Sequence, residues 1–361
     1  MVLPLEHESI KYKDVGIDIK KIKLLQNQIG KDIEKTREFL NYGKVISGFG
    51  HYAGLIEIEG KVIAVHTDGV GSKILISQMM EKYDTVGIDC IAMNVNDIVC
   101  LGAKPIGYLS YIALQKTNNL LLKEITKGLV KGAKLAGAAI VGGETAILPE
   151  IITGNKKDFN YDLAGMIFGI INNKKKIIFG NKIRSGDAII GIKSSGLHSN
   201  GYSLARKVLL EKYTVDDKPE YLDTKLGIEL LKPTVIYSKS ILKIIDEFDT
   251  SIIHGLSHIT GGSFTKLKRL NPNMDYILDN LPTIKGIFKQ IMVDGNIGIQ
   301  EMYKTFNMGI GFCIIAAKEK AEDIINVISK EGLKSSVIGK IKSNGNGDAF
   351  IKKDSNLMKI Q

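Results

Sequence analysis

Three acidic residues stand in contexts that suit a phosphate-bearing substrate and a divalent cation. Asp68 and Glu144 sit beside glycine, in Thr67-Asp68-Gly69-Val70-Gly71-Ser72-Lys73 and Gly142-Gly143-Glu144-Thr145, and Asp97 lies near the end of an apolar helical pattern. Hard cations such as Mg²⁺ take oxygen ligands, usually one or two carboxylates plus substrate phosphates, and glycine lets backbone N–H groups approach phosphate oxygens closely. Asp68, Asp97 and Glu144 together therefore predict a metal–nucleotide site, whereas any one alone reads equally well as a turn or cap residue. Lys73, five residues after Asp68, is placed to meet phosphate as a point charge or to be one more surface lysine. Asp97 falls in the last turn of its helix, where the backbone dipole disfavours a carboxylate by about 0.3 to 1 kcal/mol. A cation arriving with nucleotide is the expected compensation.

Two histidines stand among small polar residues, His198 in Ser-Gly-Leu-His-Ser-Asn-Gly and His258 in Leu-Ser-His-Ile-Thr-Gly-Gly. In a strand-to-helix loop, such an imidazole can hydrogen-bond an anionic or amide substrate, carry a proton, or simply staple its loop. No G-x-x-x-x-G-K-[ST] loop, no G-x-G-x-x-G opening a helix and no H-E-x-x-H spacing is present, so nucleotide binding cannot be read from general motifs.

These residues need elements to hold them. Leu55–Gly60 and Lys61–Val65 alternate as a hairpin running into Asp68. Asp84 caps a predicted helix to Leu101, stopped by Gly102, with Ile91, Val95 and Val99 on one side. A strand over 106–114, an amphipathic helix over 120–136 ending at Gly137, a short strand over 138–141 leading into a Gly142-Gly143-Glu144 loop, and a strand over 163–171 complete a layered α/β domain. Lys174-Lys175-Lys176 reads as a solvated connector, dividing the chain into domains 1–174 and 175–361. The second half alternates strands (187–193, 251–254, 274–278, 309–316, 335–341) with helices (238–248, 318–331), a second α/β domain.

At 361 residues, with 44% apolar and 24% charged side chains, the chain has material for two cores and no case for bulk disorder. No apolar run is long enough to span a bilayer. The N-terminal stretch, with Glu6, His7 and Glu8, lacks the apolar core of a secretion signal, so a cytoplasmic protein is expected. Cys90, Cys100 and Cys313 read as buried thiols. The 49 basic residues outnumber 39 acidic ones but include only four arginines, Arg37, Arg184, Arg206 and Arg269. They are dispersed without interleaved aromatics, which argues against a nucleic-acid surface and for a lysine-rich solvated one.

Longer blocks carry a resemblance. Asp97-Ile-Val-Cys-Leu-Gly102-Ala103-Lys-Pro105 matches D-x-x-x-x-G-A-x-P, a signature of the ATP-binding superfamily of aminoimidazole ribonucleotide (AIR) synthetase. Tyr12–Asp18, Thr67–Lys73, Gly142–Ala146, Tyr161–Gly165, Ser194–Ser203, His258–Gly262 and Glu301–Gly311 narrow the resemblance to the AIR synthetase family itself. Thiamine-phosphate kinases, the alternative within the superfamily, lack the last block. The chain departs from the family pattern at Ser47, Ser72 and Ser263, the last standing where a third glycine is usual.

The resemblance implies two domains, the first with a mostly four-stranded sheet that pairs with a second subunit's into a barrel, hence a homodimer. It implies ATP and Mg²⁺ and a small ribonucleotide substrate, with no nucleic acid or membrane partner. The implied reaction closes the imidazole ring of formylglycinamidine ribonucleotide. Asp68, Asp97 and Glu144 would hold the metal; Gly69, Gly71, Gly102, Gly142 and Gly143 would give phosphate access; and Lys73 would neutralise charge. His198 and Asn200, with His258 and Thr260, would face the ribonucleotide, and which histidine carries a proton stays open.

Overall fold

The computed structural model describes residues 14, 16, 19–48, 50–154, 156–343, 345–353 and 356–360. Most of the Tyr12–Asp18 block therefore lies outside the described residues. Six strands form the first sheet: β1 (Lys44–Val45), β2 (Gly54–Ile58), β3 (Lys61–Gly69), β4 (Lys104–Leu114), β5 (Ala139–Ile147) and β6 (Tyr161–Ile171). Their spatial order is β1-β2-β3-β6-β4-β5. Pairing is antiparallel except between β4 and β5, which the crossover helix Asn119–Ala136 joins. That helix starts where Asn118 Oδ1 accepts the Leu121 N–H at 3.0 Å and ends on Gly137 at φ 73°, an N-cap and a left-handed C-terminus. The sheet thus exceeds the four strands implied by resemblance.

The second sheet comprises β7 (Ala188–Lys193), β8 (Ile253–His258), β9 (Asp275–Leu278), β10 (Ile310–Ala316), β11 (Ser335–Lys342), β12 (Ala349–Lys353) and β13 (Asn356–Ile360), ordered β13-β12-β9-β11-β7-β10-β8. Two mixed sheets with helices make a two-domain α/β fold. Among the described residues no helix is long and apolar enough to cross a membrane, and all three cysteines are buried and unpaired.

The helix Val86–Val99 governs the site. Every one of its residues is buried, including Asp89, Asn94, Asn96 and Asp97. A helix with one apolar stripe normally gives its other face to water. Here the apolar side packs on β3, β4, β6 and the crossover helix, and the polar side meets the second half of the chain. Close approach to the crossover helix requires glycine: a Cβ on Gly87 would lie 2.3 Å from Leu129 N, and one on Gly128 2.4 Å from Asp84 O.

Candidate active site

The polar side of this helix is hydrogen-bonded to the segment before the helix Ser238–Glu247 and to the edge strand β8 of the second sheet. Asn96 Nδ2 donates to Val235 O at 2.9 Å, and its Oδ1 accepts the Tyr237 N–H at 2.9 Å. Asp97 Oδ1 accepts from His258 Nδ1 at 2.7 Å, and His66 Nε2 lies 3.5 Å from Asp97 Oδ2. Burial alone would raise the Asp97 pKa, but Lys266, His258 and His66 more than reverse it and hold the carboxyl well below the usual range. A nucleotide-borne cation was the expected compensation for Asp97; within the chain, Lys266 supplies positive charge and His258 a hydrogen bond, both from positions distant in sequence.

His258 occupies the last position of β8, not a loop, and is wholly buried. With Nδ1–H given to Asp97, its Nε2 faces the Asn96 amide at 3.3 Å. Both ring nitrogens are therefore engaged, and the imidazole orients Asp97. His198 differs. Its Nε2 accepts the Ser195 N–H at 3.3 Å, which leaves the proton on Nδ1, a buried atom with no partner. Burial first, then His258 and Lys73, push its pKa well below normal, so the ring is neutral. Its φ of 63° is a left-handed conformation unfavourable to a side chain.

Asp68 lies at the end of β3, its Oδ1 accepting the Gly69 N–H at 2.8 Å. Burial and the neighbouring Asp97 raise its pKa, against His66, Gly69 and Lys266. Asn94 Nδ2 donates to Asp68 O at 3.0 Å, while Asn94 Oδ1 is buried without a partner. Two carboxylates that strain against each other, plus an orphaned amide oxygen, form an oxygen-donor set that suits Mg²⁺. Among the described residues no group of three or more His, Cys, Asp or Glu could hold a metal ion.

Glu144 does not join this set. The register places Asp68 in the row Asp68–Gly165–Ser110–Gly143 and Glu144 one residue on, in Gly69–Ala164–Tyr111–Glu144. Successive rows face opposite sides of a sheet, so Glu144 stands on the open face and Asp68 on the helix-covered one. Gly142, Gly143 and Glu144 form exposed edge strand within β5, where a loop was expected.

Lys73 is fully buried, and its ammonium donates to Asp89 Oδ1 at 2.9 Å, His198 O at 3.1 Å and Lys232 O at 2.7 Å. Asp89 also accepts from Thr234 N and Oγ1 at 2.7 and 2.6 Å. All three ammonium protons are used inside the protein, in a staple between the two halves. Gly71 (φ 69°) and Gly102 (φ 85°) hold the left-handed turns that open the Gly71–Lys73 turn and stop the Val86–Val99 helix.

The segment after β8 folds onto the loop carrying His198: a Cβ on Gly261 would lie 2.9 Å from Asn200 Oδ1. Thr260 Oγ1 meets the Lys266 ammonium, which with Arg269 lies over the Tyr52 ring, 5.9 and 5.7 Å from its centroid. Lys266, His66 and Asn94 escape a sequence reading because only tertiary contact marks them. Ser263, at φ 45°, occupies a conformation natural to glycine, and its Oγ donates to Phe306 O at 2.6 Å.

Residues 50–171 match the model of the AIR synthase related protein N-terminal domain, and residues 184–352 that of the C-terminal domain. The chain is 47% identical over 335 residues to the phosphoribosylformylglycinamidine cyclo-ligase of Methanobrevibacter smithii, covering 92% of this chain and 94% of that protein. It is 45% identical over 359 residues to the protein of that name from Methanocaldococcus jannaschii, covering 95% and 97%. Among solved structures, AaThiL complexed with AMPPCP and TMP shares the fold at TM-score 0.63 and 16% identity, over 95% of this chain and 98% of that one. Hydrogenase maturation protein HypE in complex with ATP does so at 0.58 and 16%, over 83% and 84%. Identity at this level over nearly the whole length, with both domain models matched in order, means that the chain belongs to the phosphoribosylformylglycinamidine cyclo-ligase family of AIR synthase related proteins.

Proposed function

We propose that this chain performs the ATP-dependent closure of formylglycinamidine ribonucleotide to aminoimidazole ribonucleotide, ADP and phosphate, a step of purine biosynthesis. The observation that carries this reading is the 45–47% identity to cyclo-ligases along nearly the full chain. An amide oxygen leaves poorly. Phosphoryl transfer to the formyl oxygen makes it a leaving group, which the amidine nitrogen of the same molecule displaces. Intramolecular attack in a held geometry gains up to about 7–11 kcal/mol from proximity, so the protein's work is positioning and charge neutralisation.

Asp68 and Asp97, with Asn94 Oδ1, would hold Mg²⁺, which when bound offsets charge on the phosphates. His258 fixes the Asp97 carboxylate toward that task. His198, neutral with Nδ1–H unpartnered, is the better candidate of the two histidines to donate a hydrogen bond to the reacting amide. Asn200 and Thr260 would bind the ribonucleotide, and Glu144 would act from the open face of the first sheet. That face and its edge expose Ile106, Tyr111, Ile140, Val141, Ile147 and Met166. Unpaired edge groups beside an apolar face favour burial against a second copy, and a homodimer follows.

Phosphate release from ATP and Mg²⁺ tests the reading. Formylglycinamidine ribonucleotide stimulates release and thiamine phosphate does not; no release with the ribonucleotide, together with ADP formed from thiamine phosphate while the phosphoryl group stays on the product, rejects it in favour of a thiamine-phosphate kinase.

A further inference from the structure

The helix Tyr202–Leu210 follows directly from the loop that carries His198 and Asn200. Ser203, Arg206, Lys207 and Leu210 fall on one face of it, and with Met79 and Glu211 they line an open groove of about 490 Å³. Ser203 Oγ is 3.3 Å from Ser72 Oγ, in the turn that follows Asp68 and Gly69. The groove therefore begins where the acidic loop and the His198 loop meet.

Its charge is unbalanced in one place. Lys207 is paired with Glu211 at 2.6 Å. Arg37 pairs with Glu34, Arg184 with Asp187, and Arg269 lies over Tyr52. Among the described residues Arg206 alone of the arginines has neither a carboxylate nor a ring against it, and its Nε is buried with no partner. Burial depresses its pKa with no opposing contribution. A guanidinium held partly out of water without an acceptor costs free energy until an anion completes it. The planar fork suits a phosphate bidentately. The first turn of the same helix is capped by Gly201 with no side chain, which leaves backbone N–H groups at the groove's inner end.

We propose that this groove is the anchor for the 5′-phosphate of the ribonucleotide substrate, with Arg206 as its principal ligand and the Ser72 and Ser203 hydroxyls beside it. This deepens the ring-closure reading and rests on it for the identity of the substrate. From the helix start to Arg206 is about 6 Å at roughly 1.5 Å per residue. A ribose phosphate spans that reach, which puts its base-forming end at His198 and Asn200.

Two measurements on Arg206→Met and Arg206→Lys, made on the full chain, test it. The first is thermal stabilisation by ribose 5-phosphate, which needs no turnover. The wild type is stabilised, Arg206→Met is not, and Arg206→Lys is partly. Without ligand, Arg206→Met melts at or above the wild-type temperature. The second is kinetic: Arg206→Met raises KM for formylglycinamidine ribonucleotide by about thirtyfold or more, the loss of one charge-assisted hydrogen-bond set, and raises KM for ATP far less. Ribose 5-phosphate stabilising the wild type and not Arg206→Met supports the anchor even if the ribonucleotide is not turned over, which separates this inference from the proposed reaction. Equal stabilisation of both proteins overturns it. A KM effect on ATP instead of the ribonucleotide also overturns it, by assigning the groove to nucleotide phosphates.

Discussion

At the scale of residues, the account turns on a few buried groups whose partners define their work. Asp97 is ionised because His258, Lys266 and His66 surround it. Asp97→Asn should therefore cut Mg²⁺-ATP-dependent turnover by at least about a hundredfold, a loss on the order of 2.7 kcal/mol. It should also lower stability without nucleotide by about 1–3 kcal/mol, since the bond to His258 loses its charge; steady-state kinetics and urea unfolding check the pair. Unchanged turnover would place the metal elsewhere. His198 makes a pH prediction. Its folded-state pKa is depressed by burial, so the unfolded chain binds the proton first as pH falls. The stability it contributes is complete above about pH 6.5 and is lost as pH drops below that. Between pH 6.5 and 5 the wild type should lose more stability than His198→Asn, as urea midpoints would record; parallel losses would mean that the ring is not held neutral. Asp68, His198 and His258 could be singled out in sequence because each sits in a short glycine- or serine-rich context, and Asp97 because it stands near the end of an apolar helical pattern. Lys266 and Asn94 were not, because nothing in their linear neighbours distinguishes them from surface lysine or helix asparagine.

At the scale of elements, the Val86–Val99 helix explains both what could and what could not be read. Its apolar spacing predicted a helix of nearly the right length, whereas nothing in that spacing showed that its polar residues form the seam between the two halves. Lys73 was ambiguous for the same reason: a lysine after a glycine turn is a natural phosphate ligand until its ammonium is found closed in by Asp89 and two carbonyls. Lys73→Met should destabilise the protein by about 3–5 kcal/mol, because it strands a buried carboxylate. Denaturant unfolding without nucleotide measures this directly. Full stability with weakened ATP binding would instead restore Lys73 to the phosphates. The β5 glycines misled differently. Gly142-Gly143 reads as a loop, yet a Cβ on Gly143 would come within 2.4 Å of Ser110 O, so glycine there permits a tight parallel strand.

At the scale of the whole molecule, the first sheet ends in an exposed strand and carries an apolar face that the described residues leave exposed. Light scattering at micromolar protein should give twice the monomer mass, and Met166→Glu should shift it toward monomer; a monomer at all concentrations would remove the case for a shared barrel. The central claim is chemical, that the formyl oxygen is phosphorylated before the ring closes. Formylglycinamidine ribonucleotide labelled with oxygen-18 at the formyl position, turned over with unlabelled ATP in ordinary water, tests it most directly by mass spectrometry of the products. The account predicts that the label appears in inorganic phosphate, in step with aminoimidazole ribonucleotide and ADP. Ring closure that leaves the phosphate unlabelled would contradict it.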